Sequence, residues 1–400
     1  MRKHPARWSD LADRIHAATP ASRDRSVDAL RAFAILGVML GHWLVTALTT
    51  TNGGLSTTSP LAHMSVLAPV SWVFQTLAVF FLVGGHVAAQ GYASARARGV
   101  SYGAWIGQRL RRLFRPVAAV VTLWVVTAGG MLLGGVDFDT VRSLVKLVLS
   151  PLWFLLVFAA LTAATPLVAR LNPLWPAAVV AGVDVWRFGF GGPEWVGWVN
   201  VAAGWLVPYT LGAAWSRGAF ARRAPALLLL VGGALTAAAL ILWGGYPASM
   251  VGVPGADVSN LNPPTIAAVA FGAAQCGLAL LMRERLARTM RRPRAWAKVA
   301  LVNLSAMTVF LWHQTAMMAV TALGLLVSAD LPGLHTVPDS SAWVAARLLW
   351  LPVFGAALMV CWAAFRTYEQ GASDRGGRVV RVGSAPTDRQ PASEREIAHA

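Results

Sequence analysis

Apolar runs of about 20 residues recur along this chain between short polar connections, and each is long enough to cross a bilayer as one helix. Within lipid the backbone must satisfy its own hydrogen bonds, which leaves helices or closed barrels. A barrel would read as alternating segments of about ten residues, and no such segments occur. The expected fold class is therefore all-α: a polytopic membrane protein with about ten transmembrane helices. The runs cover roughly residues 28–49, 68–92, 115–135, 147–169, 174–190, 199–216, 225–243, 264–282, 299–327 and 343–365. Of 400 residues, 56% are hydrophobic and 13% charged, about half the charged fraction of a soluble domain.

The net charge of +17 does not point to nucleic acid, because the arginines sit in connections on alternate sides of the runs. Connections 93–114, 217–223 and 283–298 are basic, whereas 50–67 and 244–263 contain no lysine or arginine. The positive-inside rule then places both termini in the cytosol, as for a multi-pass protein of the plasma (inner) membrane. The fifth run is short and contains Asp184 and Arg187. Without it the basic connections 217–223 and 283–298 would face outward, so parity retains it, with Asp184 and Arg187 near its outer end.

The chain divides into an N-terminal tail (1–26), a membrane domain (27–367) and a C-terminal tail (368–400). The last tail is Gly-, Ser- and Arg-rich without periodicity, and is expected to be disordered. In the first, Trp8, Leu11 and Ile15 share one helical face, which suits either a surface-lying amphipathic helix or a solvated tail. Polar residues ahead of the first run argue against a signal peptide. The two cysteines, Cys276 and Cys361, lie in apolar runs and form no disulfide framework.

Costly groups inside the runs carry the chemistry. Arg31 and His42 lie eleven residues apart on the first run, within about 20° of one helical face and roughly 16 Å along its axis. Asp28 is close enough to pair with Arg31. Arg31 reads as an interfacial anchor or a clamp, and His42 as a structural imidazole or a functional one. Gly84–Gly85, followed by His86, lets a backbone or a ligand approach closely. Arg109, Arg111 and Arg112 precede the third run, where a helix N-terminus and guanidinium groups suit phosphates as well as anchoring. His313, on the ninth run, is expected at the height of His42, so that two imidazoles could line one cavity. Near the outer face, "VDVWRFGFGGPEWVGWVN" and "DVSNLNPPT" combine Trp with Asp and Asn, as an interfacial belt or a sugar-binding surface would. No phosphate loop, dinucleotide fingerprint, metal-ligand cluster or serine nucleophile elbow is present, so no metal is expected.

These stretches, in this order, resemble the acyltransferase-3 family of integral-membrane acyltransferases. Asp28-Ala29-Leu30-Arg31-Ala32 with His42 resembles the family's first-helix motif, an Arg followed by ten residues and a His. Phe80-Phe81-Leu82-Val83-Gly84-Gly85-His86 is similar to its "F-F-x-x-S-G-F", with glycine for serine and His86 for the aromatic. Arg109 through Pro116 is similar to its basic stretch, and Ser305 through His313 to its C-terminal motif, with Met307 and Phe310 replacing aromatics.

The resemblance implies transfer of an acyl group, with acetyl expected, from cytosolic acyl-coenzyme A to a hydroxyl of a carbohydrate or lipid-linked envelope acceptor. Arg31 would then clamp the donor and His42 would take the acceptor's proton, or else carry the acyl group itself. Arg109, Arg111 and Arg112, with Arg31, would hold the coenzyme A, and His313, His86 and Asp184 would meet the acceptor. The rival class is a proton-coupled transporter, which also places His and Arg in the membrane. Against it, the sequence shows no inverted repeat.

Overall fold

The computed structural model describes residues 8–51 and 54–370, which are mostly helical. After α1 (Trp8–Ala17), Asp24 caps α2 (Arg25–Val45) by accepting from the Ser26 and Val27 backbone N–H groups. A hairpin of β1 (Ala47–Thr51) and β2 (Gly54–Thr58) follows, and short helical turns then lead to α3 (Leu77–Ala97) and α4 (Tyr102–Leu133). Next are α5 (Phe138–Leu149), α6 (Leu152–Ala163), α7 (Leu174–Asp184) and α8 (Val199–Ser216). The chain continues through α9 (Arg223–Leu242), α10 (Ile266–Thr289), α11 (Pro293–Leu304), α12 (Ala306–Leu325) and α13 (Ser341–Gln370). The part of the C-terminal tail beyond residue 370 lies outside the described residues.

Among the described residues, eight helical segments are long and apolar enough to cross a membrane. The two expected runs outside that set are α7, with 11 residues, and α8, with 18. Both still run between the same two ends of the bundle as their neighbours. At one end Arg217, after α8, donates to the Ala169 carbonyl before α7. At the other, Asp184 at the close of α7 accepts from Asn200 on α8 and from the Ile266 N–H that starts α10.

The structure moves several expected boundaries. The arginines of connection 93–114 that follow Tyr102 belong to α4, which runs unbroken into the third apolar run. The fourth run starts at Phe138 and is interrupted at Ser150–Pro151. Ser305 divides the ninth run, separating α11 from α12. The first run ends at Val45, so His42 sits in the last turn of α2. Beyond it the otherwise helical chain includes one short hairpin, in which β1 and β2 pair antiparallel with Ala47 opposite Thr58. Threonines crowd χ1 in a helix and suit a pleated strand. The hairpin rests on α5, where the Leu55 N–H donates to Thr140 Oγ1.

Basic connections gather at the end of the bundle opposite the hairpin. Here Arg223 pairs with Glu284, and Arg25 donates to the Met290 carbonyl. This is the basic end. Ile15 of α1 packs there against Ala29, Met290 and Trp296, and the Trp296 indole donates to Thr19. Ile15 of α1 is thus held against α11, while Trp8 on the same helix stays 42% exposed.

Burial separates central from peripheral helices. In α2 and α12, 61% of the apolar window is buried, against 11% in α9 and α13. Val125, Val126, Leu228, Leu235, Leu349 and Val360 point outward, an apolar surface suited to lipid rather than water. Small residues seal the inner seams. A Cβ on Gly85 of α3 would overlap the Tyr209 carbonyl oxygen, and one on Gly212 of α8 would overlap that of Leu82.

Candidate functional site

The site is built on the inward face of α2. Near the basic end, Arg31 Nη1 lies 3.3 Å from Asp28 Oδ1, as the spacing predicts. The buried Asp28 also receives Arg23, 2.6 Å from Nε to Oδ2. That hydrogen bond raises the Arg23 guanidinium above its ordinary value. Asn303 closes the cluster by donating to the Asp28 carbonyl at 2.8 Å. Arg23 and Asn303 were not read from the sequence: one precedes the apolar run, and the other meets α2 only through the packing of α11.

Arg31 faces a cavity of about 320 Å³ whose walls include Ile35, Val83, Leu113 and Met307. Arg109 also lines it and donates to the Val87 carbonyl at 3.4 Å while lying over the Trp105 ring. Gly91 makes room for that guanidinium, which would overlap a Cβ there. A second cavity of about 450 Å³ shares Arg109 and opens further toward the basic end, with Arg98, Arg112, Gln108 and Trp105 on its wall. Arg109 thus lines both cavities, with Arg31 on the wall of the first and Arg112 on the wall of the second. Arg111 is exposed and lines neither part. Gly84 lies on the wall against the Phe158 ring, while its neighbour Gly85 serves the α3–α8 seam.

His42 faces a different cavity, of about 310 Å³, toward the hairpin end. Its wall carries hydroxyl and amide groups from Thr58, Ser59, Ser71, Gln75, Ser150 and Asn262, and the Trp153 and Phe74 rings. The loop before α10 contributes Val251, Gly252 and Pro254. An aromatic surface with hydroxyls suits a polyol, whose ring faces stack while its hydroxyls hydrogen-bond. Of the two outer stretches singled out in the sequence, the second supplies Leu261 and Asn262 to this wall, whereas Trp186, Trp195 and Trp198 of the first are exposed on the surface and outside this cavity.

His42 and His313 lie with ring centroids 5.1 Å apart, so the two helices bring them together as expected. Only His42 lines the cavity, because His313 turns Nδ1 to the Phe310 carbonyl at 2.6 Å. Gln314, missed by sequence reasoning, places its Nε2 3.1 Å from His42 Nδ1. Its Oε1 has no hydrogen-bond partner among the described residues. The two groups can pair in two ways. If the amide donates to Nδ1, the ring proton sits on Nε2. If the amide turns, Nδ1–H donates to Oε1, satisfying that oxygen and leaving Nε2 bare as a base.

His86 and Asp184 are elsewhere. His86 stacks on Trp215 with centroids 3.9 Å apart, in the α3–α8 seam. The Asp184 carboxylate is buried and takes three donors: Asn200 at 2.9 Å, the Tyr246 hydroxyl at 3.1 Å and the Ile266 N–H at 2.8 Å. Neither residue lines the cavities of Arg31 and His42.

Arg347 of α13, also missed, is fully buried beside the end of α2. It donates to the carbonyls of Trp43 (2.7 Å), Thr46 (2.5 Å) and Gly333 (2.9 Å). A cation there complements the negative end of the helix dipole and fixes the turn that carries His42. Its only sequence signal was an arginine inside an apolar run.

A family model described as an acyltransferase domain matches residues 24–366. No curated protein and no solved structure matches the chain.

Proposed function

The chain belongs to the acyltransferase-3 family and is a membrane acyltransferase, and from that premise we propose that it carries an acetyl-sized acyl group from cytosolic acyl-coenzyme A to a carbohydrate or glycolipid hydroxyl of the cell envelope. In this reading the basic end faces the cytosol and the chain crosses the plasma membrane ten times. The courses of α7 and α8 support that count. The observation that carries the proposal is the division of one helix face between two cavities. Arg31 serves the cationic one and His42 the hydroxyl-lined one.

Arg98, Arg109 and Arg112 suit the phosphates of the donor, since guanidinium groups bind them through paired, charge-assisted hydrogen bonds. The apolar walls above Arg31 suit the pantetheine arm. Arg31 is about 16 Å below His42 by helical rise, a distance such an arm can span. The acceptor enters from the hairpin end, with Trp153 and Phe74 available to a sugar ring.

With the Gln314 amide turned so that Oε1 accepts from His42 Nδ1–H, the bare Nε2 takes the proton of the acceptor hydroxyl. That oxygen attacks the thioester carbonyl, the new C–O bond forms and the C–S bond breaks. Sulfur leaves with the electron pair and takes up the proton from His42, so coenzyme A departs as the free thiol. Transport, the rival class, needs no such thiol. The test is thiol release from acetyl-coenzyme A by purified protein, with envelope glycans followed by mass spectrometry. Thiol and acetylated acceptor should form together. Binding of acetyl-coenzyme A without either product would sink the proposal.

A further inference from the structure

Two residues, Phe154 and Phe310, line both the cavity of Arg31 and the cavity of His42. They come from opposite sides, Phe154 from the first turn of α6 and Phe310 from the early part of α12. Their rings meet edge to face, with centroids 4.7 Å apart at 86°. Both are buried, at 4% and 5% exposure. Phe154 is braced by Phe80, with centroids 5.3 Å apart, and by Phe81 at 6.2 Å. The Phe310 carbonyl accepts the hydrogen bond of His313, which anchors its turn beside His42. A ring pair held this way is a partition, and His42 stands beyond it from the cationic side.

We propose that Phe154 and Phe310 set the size of the acyl group, admitting acetyl or propionyl to His42 and excluding longer chains. The inference rests on the acyl-coenzyme A reading above and deepens it. A thioester arriving from the Arg31 side reaches the partition before it reaches His42. A two- or three-carbon acyl group needs only a small turn of one ring. Each further methylene must displace aromatic carbon in a packed interior, which costs about tenfold or more in rate. The same rings keep water of the hydroxyl-lined cavity away from the waiting thioester. The cavity volumes of about 320 and 310 Å³ show that space exists on both sides, so the constriction and not the chambers selects.

The experiment measures thiol release and acceptor acylation with acetyl-, butyryl- and hexanoyl-coenzyme A, using extracted envelope glycans as acceptor. Wild type should favour acetyl strongly. Phe154→Ala and Phe310→Ala should each raise the butyryl-to-acetyl ratio by about tenfold or more. Phe154→Leu and Phe310→Leu, which keep the core filled, should give intermediate ratios and guard against loss of folding, checked by detergent gel filtration and thermal unfolding. An unchanged ratio in folded variants of an active enzyme overturns the partition alone. Wild type that uses hexanoyl as readily as acetyl overturns it too. Wild type that releases no thiol from any of the three overturns the donor reading, and the partition falls with it.

Discussion

At the scale of the residue, the His42–Gln314 pair gives the sharpest outcomes. His42→Ala and His42→Gln should cut acyl transfer by about 10²–10⁴, the usual value of a general base, while folded protein remains in the membrane. A purely structural imidazole would instead tolerate glutamine, which can still hydrogen-bond. Gln314→Ala should lower kcat by about tenfold with the donor KM unchanged, because it removes the partner that orients the ring and lines neither donor-side cavity. Gln314→Glu keeps an acceptor oxygen and should recover part of that loss. Wild-type kcat in a folded Gln314→Ala protein would free His42 from this partner. On the donor side, Arg112→Ala should raise the KM for acetyl-coenzyme A, and added salt should do the same in wild type. Arg31→Lys, retaining charge without the planar fork, should fall between wild type and Arg31→Ala. Arg31 and His42 were legible in sequence because helical periodicity alone puts them on one face. Gln314 was not, since it lies 272 residues away from His42.

At the scale of the element, the end of α2 depends on a helix far along the chain. Arg347→Met fills similar space but leaves the carbonyls of Trp43, Thr46 and Gly333 without their donor. Stability should drop by about 3 kcal/mol, read as a lower unfolding midpoint in detergent. Activity should fall further than stability explains, because the turn bearing His42 loosens. A variant as stable as wild type would show that water or neighbouring donors replace the guanidinium. The hairpin after α2 teaches a related lesson. Its signal was present, threonine-rich runs around Asn52-Gly53, a strong short-range hairpin pattern. Hydropathy hid it, since Ala47 and Leu48 extend the apolar run without extending the helix. Asp184 shows the reverse error. A carboxylate near an aromatic surface segment suggested a ligand, yet its oxygens are occupied by three donors from later elements.

At the scale of the whole molecule, orientation is the property to test. In a cysteine-free background, exposed positions Arg222→Cys and Arg288→Cys should label only from the cytosol, and Asp257→Cys only from outside. External labelling at Arg288→Cys would overturn the ten-crossing arrangement and the cytosolic donor with it. Local sequence is enough for the membrane class, for eight of the ten apolar runs as candidate spans and for the Arg31–His42 face. Each of these follows from local hydropathy or from the 3.6-residue period, and neither requires knowledge of neighbours. Tertiary structure alone decided that Arg31 and His42 serve separate cavities, that Phe154 and Phe310 stand between them, and that Arg347 holds the end of α2. Those facts join groups from helices far apart in the chain, and an apolar run looks the same in sequence whether its side chains face lipid, a partner helix or a cavity.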